Sequence, residues 1–200
     1  ELAMDAGHMD AAQLDLEMAG RLAPDLPGVQ LRLAQLCRKR GKLEAARQHA
    51  RNELGLEIHR EPAQTLELAQ LLIEISMPEP ARLVLTGLLD EENPLQPTRQ
   101  QRSTALLYRG ASLLLLQQHR KGIIDCRRAL KLAPTNTLAM HNLVLAHIEL
   151  REFQRARYWL RRAVELRPND TQLRSLGLRL LRSVVASWWQ RITLRKPKAV

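Results

Sequence analysis

The sequence has 200 residues, of which 45% are hydrophobic and 26% are charged, and its formal net charge is +10. The large apolar share excludes an intrinsically disordered chain, and the single Phe argues against an aromatic-rich β-sandwich. The composition favours an all-helical protein whose helices pack through Leu and Ala.

A small residue recurs along the chain at the predicted start of the second helix of each helix pair. The residues are Ala12, Ala46, Ala81, Gly122 and Ala156, at intervals of 34, 35, 41 and 34 residues. An interval near 34 residues is typical of stacked helix pairs. The sequence therefore predicts a repeat protein.

This interval divides the chain into half a repeat, four complete repeats and a terminal segment. The ranges are 1–26 for the second half of a truncated repeat, then 27–61, 62–102, 103–136 and 137–170, and finally 171–200. The interval of 41 residues is explained if the polar stretch Gln96–Arg102, with Pro97, is a longer connection. Because the chain begins inside a repeat and without an initiator Met, we expect it to be a fragment of a longer polypeptide.

The repeat 137–170 carries the most complete set of residues at the recurring positions. In order they are Met140, Leu143, Val144, Ala146, His147, Phe153, Ala156, Leu160, Ala163 and Pro168. They fill nearly every position of the W-x2-L-G-x2-Y, A-x3-F and P pattern, so the segment resembles a tetratricopeptide repeat. The resemblance implies an all-α, right-handed solenoid of helix-turn-helix repeats with a C-terminal capping helix.

The other repeats depart from the family pattern at single positions, and 62–102 fits it least. The departing residues are Glu53, Ile58, Pro78, Pro80, Asn93 and Arg109. Glu53 stands where alanine is usual, and Arg109 stands where leucine is usual.

In this family the first helix of each repeat lines a concave groove, so the resemblance implies a partner site there. The register places in it Arg38, Gln70, Leu107, Tyr108, Leu114, His141, Asn142, Leu145 and Ile148, with Leu115 and Leu138 on the same faces. The Lys and Asn residues that clamp a C-terminal carboxylate in some family members are missing. An apolar peptide would suit this groove, although the same leucines would equally suit burial under the terminal helix.

The sequence contains no motif for catalysis, phosphate binding or metal binding. Cys37 and Cys126 are predicted to be buried small residues, because no C-x-x-C or Cys/His cluster accompanies them. His141 and His147 are six positions apart and therefore lie on different faces of one helix, with His147 in a core position. We expect no catalytic residue, metal site or cofactor.

The terminal segment 171–200 has seven Lys and Arg and no Asp or Glu. Its apolar residues recur every three or four positions, which predicts one helix to about Leu194, and Arg179 and Arg182 exclude a membrane span. One interpretation is a cap on the repeat array. The other is contact with an anionic membrane surface or a partner through Trp188, Trp189, Arg191, Arg195 and Lys196.

The sequence thus predicts a non-catalytic scaffold that binds a peptide or partner protein in its groove. The alternatives are a membrane-peripheral assembly factor that uses the terminal helix, and the regulatory arm of a larger enzyme. Self-association is a further expectation, whereas nucleic acid is disfavoured because the chain has few aromatic residues and no recognised module. Neither the partner nor the compartment follows from these residues.

Overall fold

The protein is built from α-helices throughout the part that the structure describes. A computed structural model covers residues 9–22, 26, 28–56 and 60–194, with side chains described from residue 14 to residue 190 of these ranges. Ten helices and no strand occur there: α1 Met9–Leu22, α2 Val29–Lys39, α3 Leu43–Leu54, α4 Pro62–Glu74, α5 Pro78–Leu88, α6 Arg99–Leu115, α7 His119–Leu132, α8 Thr137–Glu149, α9 Phe153–Leu166 and α10 Thr171–Leu194. The predicted all-α helical repeat fold is confirmed.

The chain divides into two compact units, Glu1–Gln101 and Arg102–Val200. In the first unit, α2 packs on α3 and α4 packs on α5, around a core that includes Leu31, Ala46, Leu68, Leu72 and Ile75. In the second unit, α7, α8 and α9 pack in succession, and α10 packs against α8 and α9. The buried stripe of α10 consists of Leu173, Leu176 and Leu180.

The turn inside each complete helix pair has the same left-handed backbone geometry. The residues with positive φ are Gly41 at 72°, Ser76 at 61°, Gln117 at 60° and Arg151 at 56°. After each, the next amide donates to a carbonyl five residues back, as Gln118 does to Leu113 at 2.8 Å, which closes a Schellman motif. A residue with a Cβ atom is disfavoured in this conformation by about 1–2 kcal/mol. Three of the four turns therefore carry strain that Gly41 avoids.

In each complete helix pair, the small residue that opens the second helix lies five positions after the left-handed residue and is buried. Ala46, Ala81 and Ala156 have no exposed surface. At Gly122, a Cβ atom would lie 2.7 Å from Cδ2 of Leu114, and at Gly110 it would lie 2.8 Å from Sγ of Cys126. The two helices α6 and α7 therefore approach too closely for any side chain at these two positions.

Glu53 departs from the family pattern because it holds the start of α2. Its carboxylate is 2% exposed and accepts hydrogen bonds from the amides of Gly28 and Leu31, both at 3.3 Å. Arg60 lies 3.6 Å from the same carboxylate. Since no side chain of α2 itself caps this end, Glu53 satisfies the free amides and meets the positive end of the helix dipole.

Arg109 also departs from the pattern, and its structural partner explains why. Its guanidinium donates two hydrogen bonds to Asp125 of α7, from Nε at 2.7 Å and from Nη2 at 3.0 Å. Asp125 is buried, so the two-pronged pair replaces an apolar contact between α6 and α7. Leucine at 109 would leave this carboxylate without its strongest partner.

The connection before α6 lies earlier in the chain than the sequence predicts, because α5 ends at Leu88 and α6 begins at Arg99. α6 thus begins inside the stretch Gln96–Arg102, for which the sequence predicts the connection. Thr98 and Gln101 form a reciprocal pair, in which the Thr98 amide donates to the Gln101 side chain and the Gln101 amide donates to the Thr98 hydroxyl. This capping box starts the helix three residues before the repeat boundary at 102.

His147 occupies the core position predicted for it. The ring is 3% exposed, its Nδ1 lies 2.7 Å from Oε2 of Glu152, and its Nε2 has no hydrogen-bond partner. Burial lowers the pKa of His147 below its ordinary value, and the hydrogen bond to Glu152 partly opposes that shift. The ring is therefore held in its neutral form.

We predict that Gln117→Gly stabilises the second unit by about 0.5–1 kcal/mol, because glycine adopts the left-handed conformation without strain. Urea unfolding followed by Trp fluorescence measures this, since all three Trp lie in that unit. Gln118→Gly is the matched control, because Gln118 has a negative φ of −87°. Equal stability changes for the two variants would contradict the strain assignment.

We predict that acidification below about pH 6.5 destabilises the second unit, because the unfolded chain protonates His147 more readily than the folded one. The free energy of unfolding falls as the pH drops from the ordinary pKa to the lowered folded pKa of His147. Above that window His147 is neutral in both states, and it causes no loss of stability. His147→Tyr should flatten the dependence of the unfolding midpoint on pH. His49 and His141 also have pKa values lowered by burial, so some dependence remains. An unchanged slope in His147→Tyr would reject this origin.

Candidate functional site

The first-helix face of the first unit is closed by its own charges. Arg32 of α2 pairs with Glu67 of α4 at 2.8 Å, and Arg38 pairs with Glu74 at 2.9 Å. Gln70 donates to the same Glu74 at 3.0 Å. The two predicted groove residues of this unit, Arg38 and Gln70, are thus engaged in a bridge between neighbouring helices. These pairs neutralise the opposite charges that α2 and α4 present to each other.

Three of the predicted apolar groove residues of the second unit are turned into its interior. Leu107 is 5% exposed and Ile148 is 6% exposed. Leu114 points toward α7, where its Cδ2 fills the space above Gly122. Leu107 and Ile148 are therefore unavailable to a partner, and Leu114 is half-buried against α7.

The remaining first-helix residues of α6 and α8 keep part of their surface accessible, and we call this set the first-helix surface. Leu115 and Leu138 are exposed at 54% and 55%, and Tyr108, His141, Asn142 and Leu145 are half-buried. The spacing 138, 141, 145 keeps the α8 members on one side of their helix. The surface therefore combines apolar contacts with donors and acceptors.

The polar residues of the first-helix surface, His141 and Asn142, are joined by hydrogen bonds to each other and to the buried Cys126. The Asn142 side chain is hydrogen-bonded both to His141 and to the thiol of Cys126. Burial lowers the pKa of His141, and the hydrogen bond to Asn142 opposes this shift. A neutral imidazole and a fixed amide can each donate and accept, which suits the backbone of an extended peptide.

The two cysteines are buried and free, as predicted. Burial raises the pKa of Cys126 to about 12, with nearby Asp125 adding to the shift and Asn142 opposing it. Burial also raises the pKa of Cys37. Both thiols therefore remain protonated, and neither is a reactive nucleophile at neutral pH.

The terminal helix α10 bounds the first-helix surface and carries a second apolar stripe. Arg179 pairs with Glu149 of α8 at 2.7 Å. On another side, Leu178, Leu181, Val185 and Trp188 are exposed at spacings of three and four. Trp189 is also exposed, and its ring meets that of Trp188 edge-on at 5.9 Å. The side chain of Arg191, together with Arg195 and Lys196, lies outside the described residues.

The charge of the chain is concentrated in the second unit, which sequence analysis by repeats did not detect. Residues 102–200 contain 20 Lys and Arg and five Asp and Glu, a net charge of +15, whereas residues 1–101 contain 11 and 16, a net charge of −5. Many of these cations lie on the second helices α7 and α9. The excess of Lys and Arg is visible in the sequence, but the repeat pattern points to the first helices and not to α7 and α9.

The described residues offer neither a candidate membrane span nor a candidate metal cluster. No helix among them combines the length and apolar character needed to span a bilayer. Over the same part of the chain, no group of three or more His, Cys, Asp or Glu is gathered as metal ligands would be.

Comparison of the sequence with protein families identifies one repeat. The tetratricopeptide repeat model matches residues 138–170. This range coincides with the repeat that carries the fullest pattern. No curated protein sequence matches the chain significantly.

Solved structures resemble the whole fold at low sequence identity. A tetratricopeptide repeat protein from Parabacteroides merdae has a TM-score of 0.70 and 19% identity, covering 96% of this chain and 76% of its own. YrrB, a tetratricopeptide repeat protein with an unusual peptide-binding site, has a TM-score of 0.67 and 14% identity, covering 90% and 87%. The APC/C hetero-tetramer Cut9-Hcn1 has a TM-score of 0.66 and 18% identity. The match covers 88% of this chain and 34% of the matched chain.

At these identities the structural likeness concerns the fold, and the family match comes from residues 138–170. The same features recur along the rest of the described chain: helix pairs, a left-handed turn in each complete pair, and a buried small residue after that turn. The chain has the all-α helical repeat fold of tetratricopeptide-repeat structures, and its residues 138–170 match the tetratricopeptide repeat model.

Proposed function

We propose that the protein is a non-catalytic scaffold and that it binds a peptide segment of a partner along the first-helix surface of the second unit. The tetratricopeptide-repeat fold supports a general role in protein–protein interaction, and such proteins are generally not enzymes. The segment would lie across α6 and α8. YrrB, which resembles this chain in fold, is a tetratricopeptide-repeat protein with an unusual peptide-binding site.

One observation carries this proposal: α6 and α8 each present an exposed leucine, and α8 also presents a hydrogen-bonded polar pair. Leu115 and Leu138 provide apolar contacts, while Asn142 is held by Cys126 and hydrogen-bonded to His141. Binding sites commonly combine a few apolar anchors with fixed polar groups. By contrast, the first-helix face of the first unit offers mainly charges that already have partners.

We predict that peptides selected from a random display library bind the wild-type chain and lose about tenfold or more in affinity on Leu115→Glu with Leu138→Glu, because each change places a charge against an apolar anchor. Calorimetry with the selected peptides measures this. The matched control is Leu166→Glu with Leu178→Glu, two exposed leucines outside the first-helix surface.

Loss of affinity in Leu115→Glu with Leu138→Glu, together with retained affinity in the control, would support the first-helix surface as the binding site. Equal loss in both variants, or binding that neither variant changes, would reject the first-helix surface. Leu114→Glu is unsuitable as a test because Leu114 packs on Gly122, so its replacement would disturb the fold.

A second candidate is attachment to an anionic membrane surface through α10. Its exposed stripe of Leu178, Leu181, Val185 and Trp188 adjoins the exposed Arg174 and Arg182, and residues 171–200 contain no acidic residue. Apolar side chains with indoles and cations on one helix are typical of interfacial binding. The Leu173, Leu176 and Leu180 stripe remains packed against the repeats, so the outward face is free to insert.

We predict that the chain co-sediments with phosphatidylserine vesicles and much less with phosphatidylcholine vesicles. Trp188→Ala with Trp189→Ala should weaken this binding by about tenfold, because two exposed indoles are lost from the interface. Leu115→Ala with Leu138→Ala serves as the control and should bind as the wild type does. Equal binding of the Trp variant and the wild type would exclude α10 as the membrane contact.

A further inference from the structure

We propose that a second site, on the second helices α7 and α9, binds an acidic peptide segment that also carries apolar residues. A groove of about 710 Å³ runs between these two helices. The residues that determine its chemistry are Ile124, Arg127, Lys131, Tyr158, Trp159 and Arg162. This site differs from the first-helix surface in both its helices and its charge.

Helical spacing explains why these side chains share a groove. Arg127 and Lys131 are four residues apart on α7, and Tyr158 and Arg162 are four residues apart on α9. Residues at this spacing lie on one face of a helix. The two faces line opposite sides of the same groove, so cations approach a bound segment from both helices.

Among the described residues, three of the four cations that line the groove have no acidic partner, and the fourth, Arg128, lies 3.9 Å from Asp125. In the described structure, Arg127, Lys131 and Arg162 are exposed, and no carboxylate lies within ion-pair distance of them. Every acidic residue of the second unit has another partner than these three cations. The pairs are Asp125 with Arg109 and Arg128, Glu149 with Arg179, Glu152 with His147 and Arg155, Glu165 with Arg161, and Asp170 with the amides of Gln172 and Leu173. The positive potential of this +15 unit is therefore open to an anionic ligand.

An aromatic and apolar strip lies among these cations. Tyr158 is 57% exposed and Ile124 is half exposed, so each offers apolar surface to the solvent. The Tyr158 ring meets the Trp159 ring edge-on at 5.0 Å, and the Arg162 guanidinium carbon lies 5.9 Å from the Trp159 centroid. Trp159 thus orients the guanidinium of Arg162, whose paired donors match the geometry of a carboxylate.

The composition of the groove favours carboxylates over a nucleic-acid strand. Single-strand binders stack successive bases on several aromatic faces. Here Tyr158, at 57% exposure, is the one exposed ring of the lining, because Trp159 is half-buried. One ring, an exposed isoleucine and three unpaired cations suit a chain of Asp and Glu with an occasional leucine.

The test uses the full chain and fluorescein-labelled peptides of about 15 residues, a length that spans two helices of a repeat array. One peptide contains Asp and Glu with two leucines, one contains Asp and Glu alone, and a dT oligonucleotide of similar length is the competitor. Fluorescence anisotropy measures binding at low and at high salt. Circular dichroism checks that each variant is folded.

The triple variant Arg127→Glu, Lys131→Glu, Arg162→Glu should bind the leucine-containing peptide at least about tenfold more weakly, since several charge-assisted contacts are lost. The control Arg157→Glu, Arg174→Glu, Arg182→Glu alters the net charge equally at exposed positions outside the groove, and it should retain most of the affinity. Tyr158→Ala should weaken the leucine-containing peptide and leave the purely acidic peptide unchanged. The variant Leu115→Glu with Leu138→Glu should bind both peptides normally.

Three results would overturn the proposal. Equal losses in the two triple variants would mean that only net charge matters. Unchanged peptide binding in the triple variant Arg127→Glu, Lys131→Glu, Arg162→Glu would show that the peptide binds outside this groove. Tighter binding of the oligonucleotide than of either peptide, through the same three cations, would assign the groove to nucleic acid.

Discussion

The close approach of the two helices within each pair is the constraint on which the rest of the structure depends. A left-handed residue reverses the chain, and five positions later a small residue lets the second helix contact the first. Where the contact is tightest, at Gly110 and Gly122, no Cβ atom fits. The chain accepts strained backbone at Ser76, Gln117 and Arg151 because the apolar burial that the turn permits outweighs about 1–2 kcal/mol at each of them.

Polar residues at the departures from the repeat pattern stabilise individual helix contacts. Glu53 caps α2 from the neighbouring helix, and Arg109 joins α6 to Asp125 of α7. In the first unit, ion pairs between α2 and α4 also occupy the face that would otherwise meet a partner. The same chemistry in the second unit engages all five acidic residues and leaves many cations unpaired. The surfaces that remain open there are accordingly apolar on α6, α8 and α10 and basic between α7 and α9.

The sequence predicted the site less completely than the fold. The register selected His141, Asn142 and Leu145 of α8, which are half-buried in the structure. It could not predict that Leu107 and Ile148 are buried or that Leu114 turns toward Gly122, because exposure depends on how closely the neighbouring helix packs. The basic groove was missed for a related reason, since Arg127 and Arg162 are 35 positions apart and belong to one site only when α7 and α9 are neighbours.

The sequence by itself determined the helical class, the repeat interval, the core positions of Cys37, Cys126 and His147, and the length of the terminal helix. These follow from local spacing, because apolar periodicity and turn residues act over one or two helical turns. Tertiary structure alone decided which charges are neutralised, which leucines are covered and which cations face each other. Those properties depend on distances between residues far apart in the chain, and a change of a few ångströms in helix packing converts an exposed side chain into a buried one.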